Sequence, residues 1–142
     1  MTVRFATEAD VIAIYGFINL LEDTVFDFDT FKQYYLQNLK EPHYVYLVAE
    51  ENSTVIGFIS CHGQLLLHHL DMVFEIQELF VDETSRSKKV GALLLEHLET
   101  ILKNQGYAFL EVTSNKQRTD AHRFYTGNGF DESHFRFTKK LR

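Results

Sequence analysis

The sequence predicts an α+β fold: a mixed, largely antiparallel sheet with helices on both faces. Three observations lead there. Strand-like and helix-like runs alternate as β-α-α-β-β-β-α-β-α-β. Residues 89–105 carry a strong helical face, with Val90, Leu93, Leu94, Leu98, Ile101 and Leu102 at i, i+3, i+4, i+8, i+11 and i+12. Finally, 142 residues with 45% hydrophobic side chains and 13 phenylalanines suit one domain, 1–142, with a full core.

The elements follow in order. Val3 to Ala6 is a short strand. Thr7-Glu8-Ala9-Asp10 is an N-cap signal with an acid three residues after the cap, and Val11, Ile14, Tyr15, Ile18 and Leu21 continue it as a helical face. A second helix spans Thr30 to Leu39, with Phe31, Tyr34, Tyr35 and Leu39 on its apolar side. Strands over His43–Glu50 and Val55–Leu66 are joined by the turn-like Glu51-Asn52-Ser53-Thr54. His68-His69-Leu70-Asp71 leads into a central strand, Met72 to Val81. The third helix, Lys89 to Gln105, stops at Gly106, a natural left-handed cap. A strand over Tyr107–Thr113, a short helix over Thr119–Thr126 and a final strand over Ser133–Lys139 complete the chain.

Charge and cysteine content narrow the function classes. The net charge of −6 divides into −11 over residues 1–85 and +5 over residues 86–142. An acidic half attracts a cationic amine and a basic half a polyanion; nucleic-acid binding would favour a chain basic overall. Cys61 is the only cysteine, so no internal disulfide forms and a reducing cytoplasm is the expected location. No stretch approaches the ~20 apolar residues that span a bilayer, and the first residues lack a signal-peptide pattern. Cys61 itself reads as a small buried residue.

The chemically richest stretch is Arg86-Ser87-Lys88-Lys89-Val90-Gly91-Ala92, a basic loop between a buried strand and an amphipathic helix. Free N–H groups of the first helical turn and the positive end of the helix dipole favour an anion there. A solvated connection would also explain the three cations. A second region, Ser114-Asn115-Lys116-Gln117-Arg118-Thr119-Asp120-Ala121-His122-Arg123-Phe124-Tyr125-Thr126-Gly127-Asn128-Gly129-Phe130, breaks the tie.

Together the two regions resemble the GNAT acetyltransferase superfamily. The first resembles its acetyl-CoA loop, Arg/Gln-x-x-Gly-x-Gly/Ala, and the second its A-x-x-F-Y-x-x-x-G-F signature, at Ala121, Phe124, Tyr125, Gly129 and Phe130. Lys89 departs from the pattern by standing where the family has the loop's first glycine. The resemblance implies a GNAT-like sheet whose fourth and fifth strands splay apart around acetyl-CoA. It implies cofactor contacts from Arg86, Ser87, Lys88, Lys89, Val90, Gly91 and Ala92, with Leu79, Phe80 and Val81 on the strand and Asn115, Arg118 and Phe124 further on. The backbone N–H of Leu79 or Phe80 would polarise the thioester carbonyl.

Moving acetyl from a thioester to an amine needs a base for the amine proton, a donor to the oxyanion and an acid for the thiolate. Glu75 and Glu78, acids within an apolar strand, are the base candidates. Residues three apart face opposite sides of an unbroken strand, so both share a face only across a bulge. Tyr125 matches the family's general acid, and a phenol is a competent donor to a nascent thiolate. A core aromatic is the plainer account of it.

Glu75-Ile76-Gln77-Glu78-Leu79, Asp120–Tyr125, Ser133–Lys139 and the pair His68-His69 are further similar to the bacterial aminoalkylphosphonate N-acetyltransferases. That likeness implies a small aminophosphonate acceptor and an association with a divalent metal. Arg123, His134 and Arg136 could hold the phosphonate; no residue set is assigned to a metal. The expected partner is a small-molecule amine, with no nucleic acid or membrane, the chain acting alone or as a homodimer. Other acceptors (a protein lysine, a polyamine, an aminoglycoside) and a non-catalytic acyl-CoA-binding module remain the alternatives.

Overall fold

Regular structure follows the hydrophobic pattern closely in the computed structural model, which describes residues 1–142. The strands are β1 (Thr2–Phe5), β2 (Tyr44–Glu51), β3 (Thr54–Leu66), β4 (Asp71–Val81) and β5 (Phe109–Val112). The helices are α1 (Val11–Glu22), α2 (Phe28–Leu39), α3 (Val90–Asn104) and α4 (Thr119–Gly127). One sheet in the order β1-β2-β3-β4-β5 carries them, antiparallel except for the parallel β4–β5 pair.

Alternation along the strands divides the core. On one face Leu47, Ile59, Cys61, Phe74 and Ile76 pack under Val90, Leu94, Leu95 and Leu98 of α3, with Phe124 and Tyr125 of α4 at the margin. On the other face Tyr46, Val48 and Phe58 meet Val11, Ile14 and Ile18 of α1 and Tyr35 of α2. Helices thus cover both faces, as expected. Cys61 is fully buried, and desolvation pushes its thiol up to about 12, which makes it a packing residue.

The N-cap signal at Thr7 works in two stages. Glu8–Asp10 forms a 3-10 turn, and the Asp10 carboxylate accepts from the Thr7 backbone N–H at 2.7 Å. Arg4 then joins Asp10 (2.9 Å) to Glu50 (2.7 Å), tying β1 and β2 to the start of α1. Burial opposes the Asp10 charge, but the hydrogen bonds from Arg4 and Thr7 together hold its pKa below the ordinary carboxylate value.

One expectation needs correction. The final strand over Ser133–Lys139 does not form; residues 130–142 have no regular structure, and Phe135 and Phe137 are exposed. The polar–apolar alternation of His134-Phe135-Arg136-Phe137-Thr138 suits a strand, but this segment hydrogen-bonds to no sheet edge and covers no core. Its fixed points are local: Lys116 Nζ lies 5.5 Å from the centre of the Phe135 ring, and Ser133 hydrogen-bonds His134. His68 and His69 lie ahead of the central strand as expected, in the turn over 67–70, with ring centres 4.7 Å apart.

Candidate active site

The site grows from a register shift. Ser60 pairs with Glu78 while the next residue, Cys61, pairs with Ile76, so Gln77 is an extra residue in β4. That bulge resets the alternation and brings Glu75 and Glu78 to the same face, with α1 and α2. Glu75 lies opposite His62, itself opposite Tyr44; Glu78 lies opposite Ser60, itself opposite Tyr46. Phe58 and Phe80 form the next row.

The two acids occupy different surroundings. Ser60, buried in the apolar run of β3, accepts from the Glu78 backbone N–H at 3.0 Å and donates to the Glu78 carboxylate. Desolvation raises the Glu78 pKa against the pull of the Ser60 hydrogen bond, and Glu22 raises it further. Glu75 instead lines a wide cleft of about 1410 Å³ bounded by β5, the turn after β3, α4 and the C-terminal segment. Tyr125, Asn115, His134 and Arg136 line the same cleft, together with His68, His69, Lys116 and His122.

Tyr125 packs edge-on between Phe124 and Phe130, at 5.3 and 5.6 Å. Its hydroxyl makes no hydrogen bond within the chain, so packing alone does not employ it. Desolvation raises its pKa, opposed by the charge of Arg118, and the phenol therefore keeps its proton at neutral pH. A base candidate and an acid candidate thus share one cleft.

His62 and Tyr46 extend the polar surface behind Glu75. Asn38 Nδ2 donates to the Tyr46 hydroxyl at 2.8 Å, and that hydroxyl lies 3.0 Å from His62 Nε2. With its oxygen already accepting, Tyr46 is free to donate, which assigns the neutral His62 ring its proton at Nδ1. Burial lowers the His62 pKa and Glu75 opposes that; burial pushes Tyr46 up to about 12.

The basic loop is wound rather than extended. Glu83–Lys88 winds into a 3-10 turn, and Lys89 adopts the left-handed conformation, φ 58° and ψ 33°, immediately before α3. Arg86 donates to the Val81 carbonyl at 3.1 Å and lies over the Phe80 ring, while Lys88 pairs with Glu51 at 2.8 Å. Lys89 makes no ion pair. Gly91 is helical and faces the Phe124 ring of α4, which a Cβ there would meet in ordinary contact at 3.4 Å.

β5 is short and ends at Val112. Its pairing with β4 ends at Ile76–Val112, whereas β4 stays paired with β3 to Val81. One edge of Gln77–Val81, including the backbone of Leu79 and Phe80, therefore has no strand beside it. Ser114 Oγ, just past β5, is buried without a hydrogen-bond partner. Unused backbone groups, an orphaned hydroxyl and the start of α3 fit a ligand carrying both amides and phosphates.

Comparison with known proteins agrees with this geometry. Residues 14–130 match the profile of the acetyltransferase (GNAT) family. The chain belongs to that family. The aminoalkylphosphonate N-acetyltransferase of Salmonella typhimurium is 40% identical over 98% of this chain and 90% of its own length. Among solved structures, a transcriptional regulator from Bacillus halodurans superposes with a TM-score of 0.89 at 20% identity, over 99% of both chains. An aminoglycoside 6'-N-acetyltransferase from Acinetobacter baumannii gives 0.86 at 16% identity, over 99% of this chain and 98% of its own.

This chain is therefore an N-acetyltransferase of a family whose acetyl donor is acetyl-CoA. Not every expected residue joins the cleft. Arg123 is exposed and paired with Asp120, Arg118 stands at the start of α4 with no side-chain cap hydrogen bond, and Glu78, Leu79, Phe80, Val81, residues 86–92 and Phe124 also lie outside. No group of three or more His, Cys, Asp or Glu side chains is arranged to hold a metal ion. No helix is long and apolar enough to cross a membrane. Ser60, His62, Tyr46 and Ser114 were missed from sequence; a lone hydroxyl in the apolar run Ile56–Cys61 is the signal that points to Ser60.

Proposed function

We propose that this acetyltransferase transfers acetyl from acetyl-CoA to the primary amine of a small aminoalkylphosphonate held in the wide cleft. The observation that carries the reading is the grouping of Glu75 and Tyr125 with His134, Arg136 and Lys116 in that cleft. A phosphonate dianion needs cations and hydrogen-bond donors, and an ammonium needs a carboxylate. The relative from Salmonella typhimurium, whose name carries that substrate class, supports the same reading.

Acetyl-CoA supplies the acetyl thioester. Its pantetheine arm would lie along the free edge of Gln77–Val81, near Ser114 and Asn115, with Phe124 packed behind. Its phosphates would meet the first turn of α3, from Val90 to Ala92, and the loop Arg86–Lys89. Glu75 takes the proton that the ammonium must lose before nitrogen can attack. As the C–N bond forms and the C–S bond breaks, Tyr125 gives its phenol proton to the departing sulfur. The N–H of Leu79 or Phe80 stabilises the oxyanion.

Steady-state kinetics test these roles. Tyr125→Phe should lower kcat by about a hundredfold while raising the KM for acetyl-CoA far less, because only a late proton donor is lost. Arg136→Ala should raise the KM for 2-aminoethylphosphonate by about tenfold, the scale of a charge-assisted hydrogen bond, and leave that for acetyl-CoA unchanged. A kcat unaffected by Tyr125→Phe, or an acceptor KM unaffected by Arg136→Ala, removes the residue from its role.

A further inference from the structure

The extra residue of β4 does more than reset the alternation. Gln77 is exposed and lies outside the lining of the wide cleft, yet its side chain folds back over Glu75. Its Nε2 donates to the Glu75 carbonyl and to Glu75 Oε1, each at 3.2 Å. We infer that Gln77 is a positioning residue, whose amide holds the Glu75 carboxylate in one orientation for taking the acceptor's proton. The inference rests on the reading of Glu75 as the base.

Chemistry fixes which end of the amide turns toward Glu75. Both nearby atoms are acceptors, so the NH2 group must face them, and its two hydrogens match the two acceptors. The bond to the carbonyl anchors the side chain, and the second hydrogen is thereby aimed at the carboxylate. The backbone beyond Gln77 is held too: the Glu78 N–H donates to the Ser60 hydroxyl at 3.0 Å, which keeps the bulge in register against β3. Pairing with β5 stops at Ile76, so no strand confines Gln77 on that edge.

The surroundings make this hydrogen bond count. Across the ladders Glu75 stands between His62 of β3 and Glu111 of β5. Glu111 is a like charge, and neither carboxylate is in an ion pair. The His62 ring hydrogen-bonds Tyr46 instead. Gln77 therefore supplies the one hydrogen bond that the Glu75 carboxylate receives from the chain. Without it, repulsion from Glu111 and access to solvent leave the carboxylate to sample several rotamers. With it, Oε1 is occupied and Oε2 is left to accept one proton from the ammonium, which frees the nitrogen lone pair for attack. A neutral donor suits that task, because a cation in its place would favour the charged carboxylate and oppose proton uptake.

Gln77→Met, close in size and without a donor, tests the inference in a double-mutant cycle with Glu75→Gln. With 2-aminoethylphosphonate as acceptor it should lower kcat by about tenfold, the scale of a hydrogen bond to a charged group, and leave the KM for acetyl-CoA unchanged. In the Glu75→Gln background the same substitution should change kcat little. A readout independent of turnover is 15N relaxation of the Gln77 side-chain amide, assigned by its disappearance in Gln77→Met. That amide should be as rigid as the β4 backbone in the unsubstituted chain and more mobile in Glu75→Ala. A mobile amide in the unsubstituted chain, a kcat unchanged by Gln77→Met, or an equal loss in both backgrounds overturns the proposal. Full turnover in Glu75→Gln beside a rigid Gln77 amide instead removes Glu75 as the base, which is the failure of the underlying reading.

Discussion

At the scale of single residues, Lys89 and the two β4 acids carry the most consequence. An L-residue in the left-handed region costs roughly 1–2 kcal/mol, partly offset in any glycine variant by the entropy of its unfolded chain. Lys89→Gly should therefore raise stability by up to about 1 kcal/mol, and Lys89→Ala should not. Both lose the cation, so both should weaken acetyl-CoA binding if that charge faces the phosphates. Paired denaturation and calorimetry separate strain from charge. Glu75 and Glu78 can be told apart by pH–rate profiles, in which activity rises as the base loses its proton. Glu75→Gln should abolish that acid limb and Glu78→Gln should leave it. Were Glu78 the base, its burial would lift the limb above the ordinary carboxylate range. A limb that survives Glu75→Gln and disappears in Glu78→Gln reverses the assignment.

At the scale of elements, the central strands hold the site and tolerate little change. Gly63 in β3 lets the Phe74 ring cross its strand; an added Cβ would stand 2.7 Å from that ring and 3.1 Å from the His43 carbonyl. Gly63→Ala should cost about 1–3 kcal/mol by overpacking, read as a lowered denaturation midpoint with an unchanged slope. Most elements were legible in the sequence, because α3 repeats its apolar residues at helical spacing and β2 to β4 are long apolar runs. What was not legible depended on pairing. Whether Glu75 and Glu78 share a face is decided by one extra residue, Gln77, against β3. The C-terminal segment failed for the converse reason, since its alternation suits a strand but no ladder takes it. The basic loop was visible as a motif. The internal engagement of Arg86 and Lys88, and the nearness of Gly91 to the Phe124 ring, needed the third dimension.

At the scale of the whole molecule, the charge division and the cleft point to different acceptors. The −11 balance of residues 1–85 favours a polycation, while the wide cleft offers Lys116, His134 and Arg136 to an anionic group. Charges further apart than a Debye length of about 8 Å at physiological salt are screened, so groups within the cleft should decide an acceptor bound there. The most direct test of that account is acetyl transfer from acetyl-CoA measured side by side on 2-aminoethylphosphonate, spermidine and a lysine-containing peptide. The account predicts that the aminophosphonate has the highest kcat/KM, with one N-acetyl product formed per coenzyme A thiol released. Preferential acetylation of spermidine or the peptide, or no transfer to the aminophosphonate by protein that binds acetyl-CoA, would contradict it.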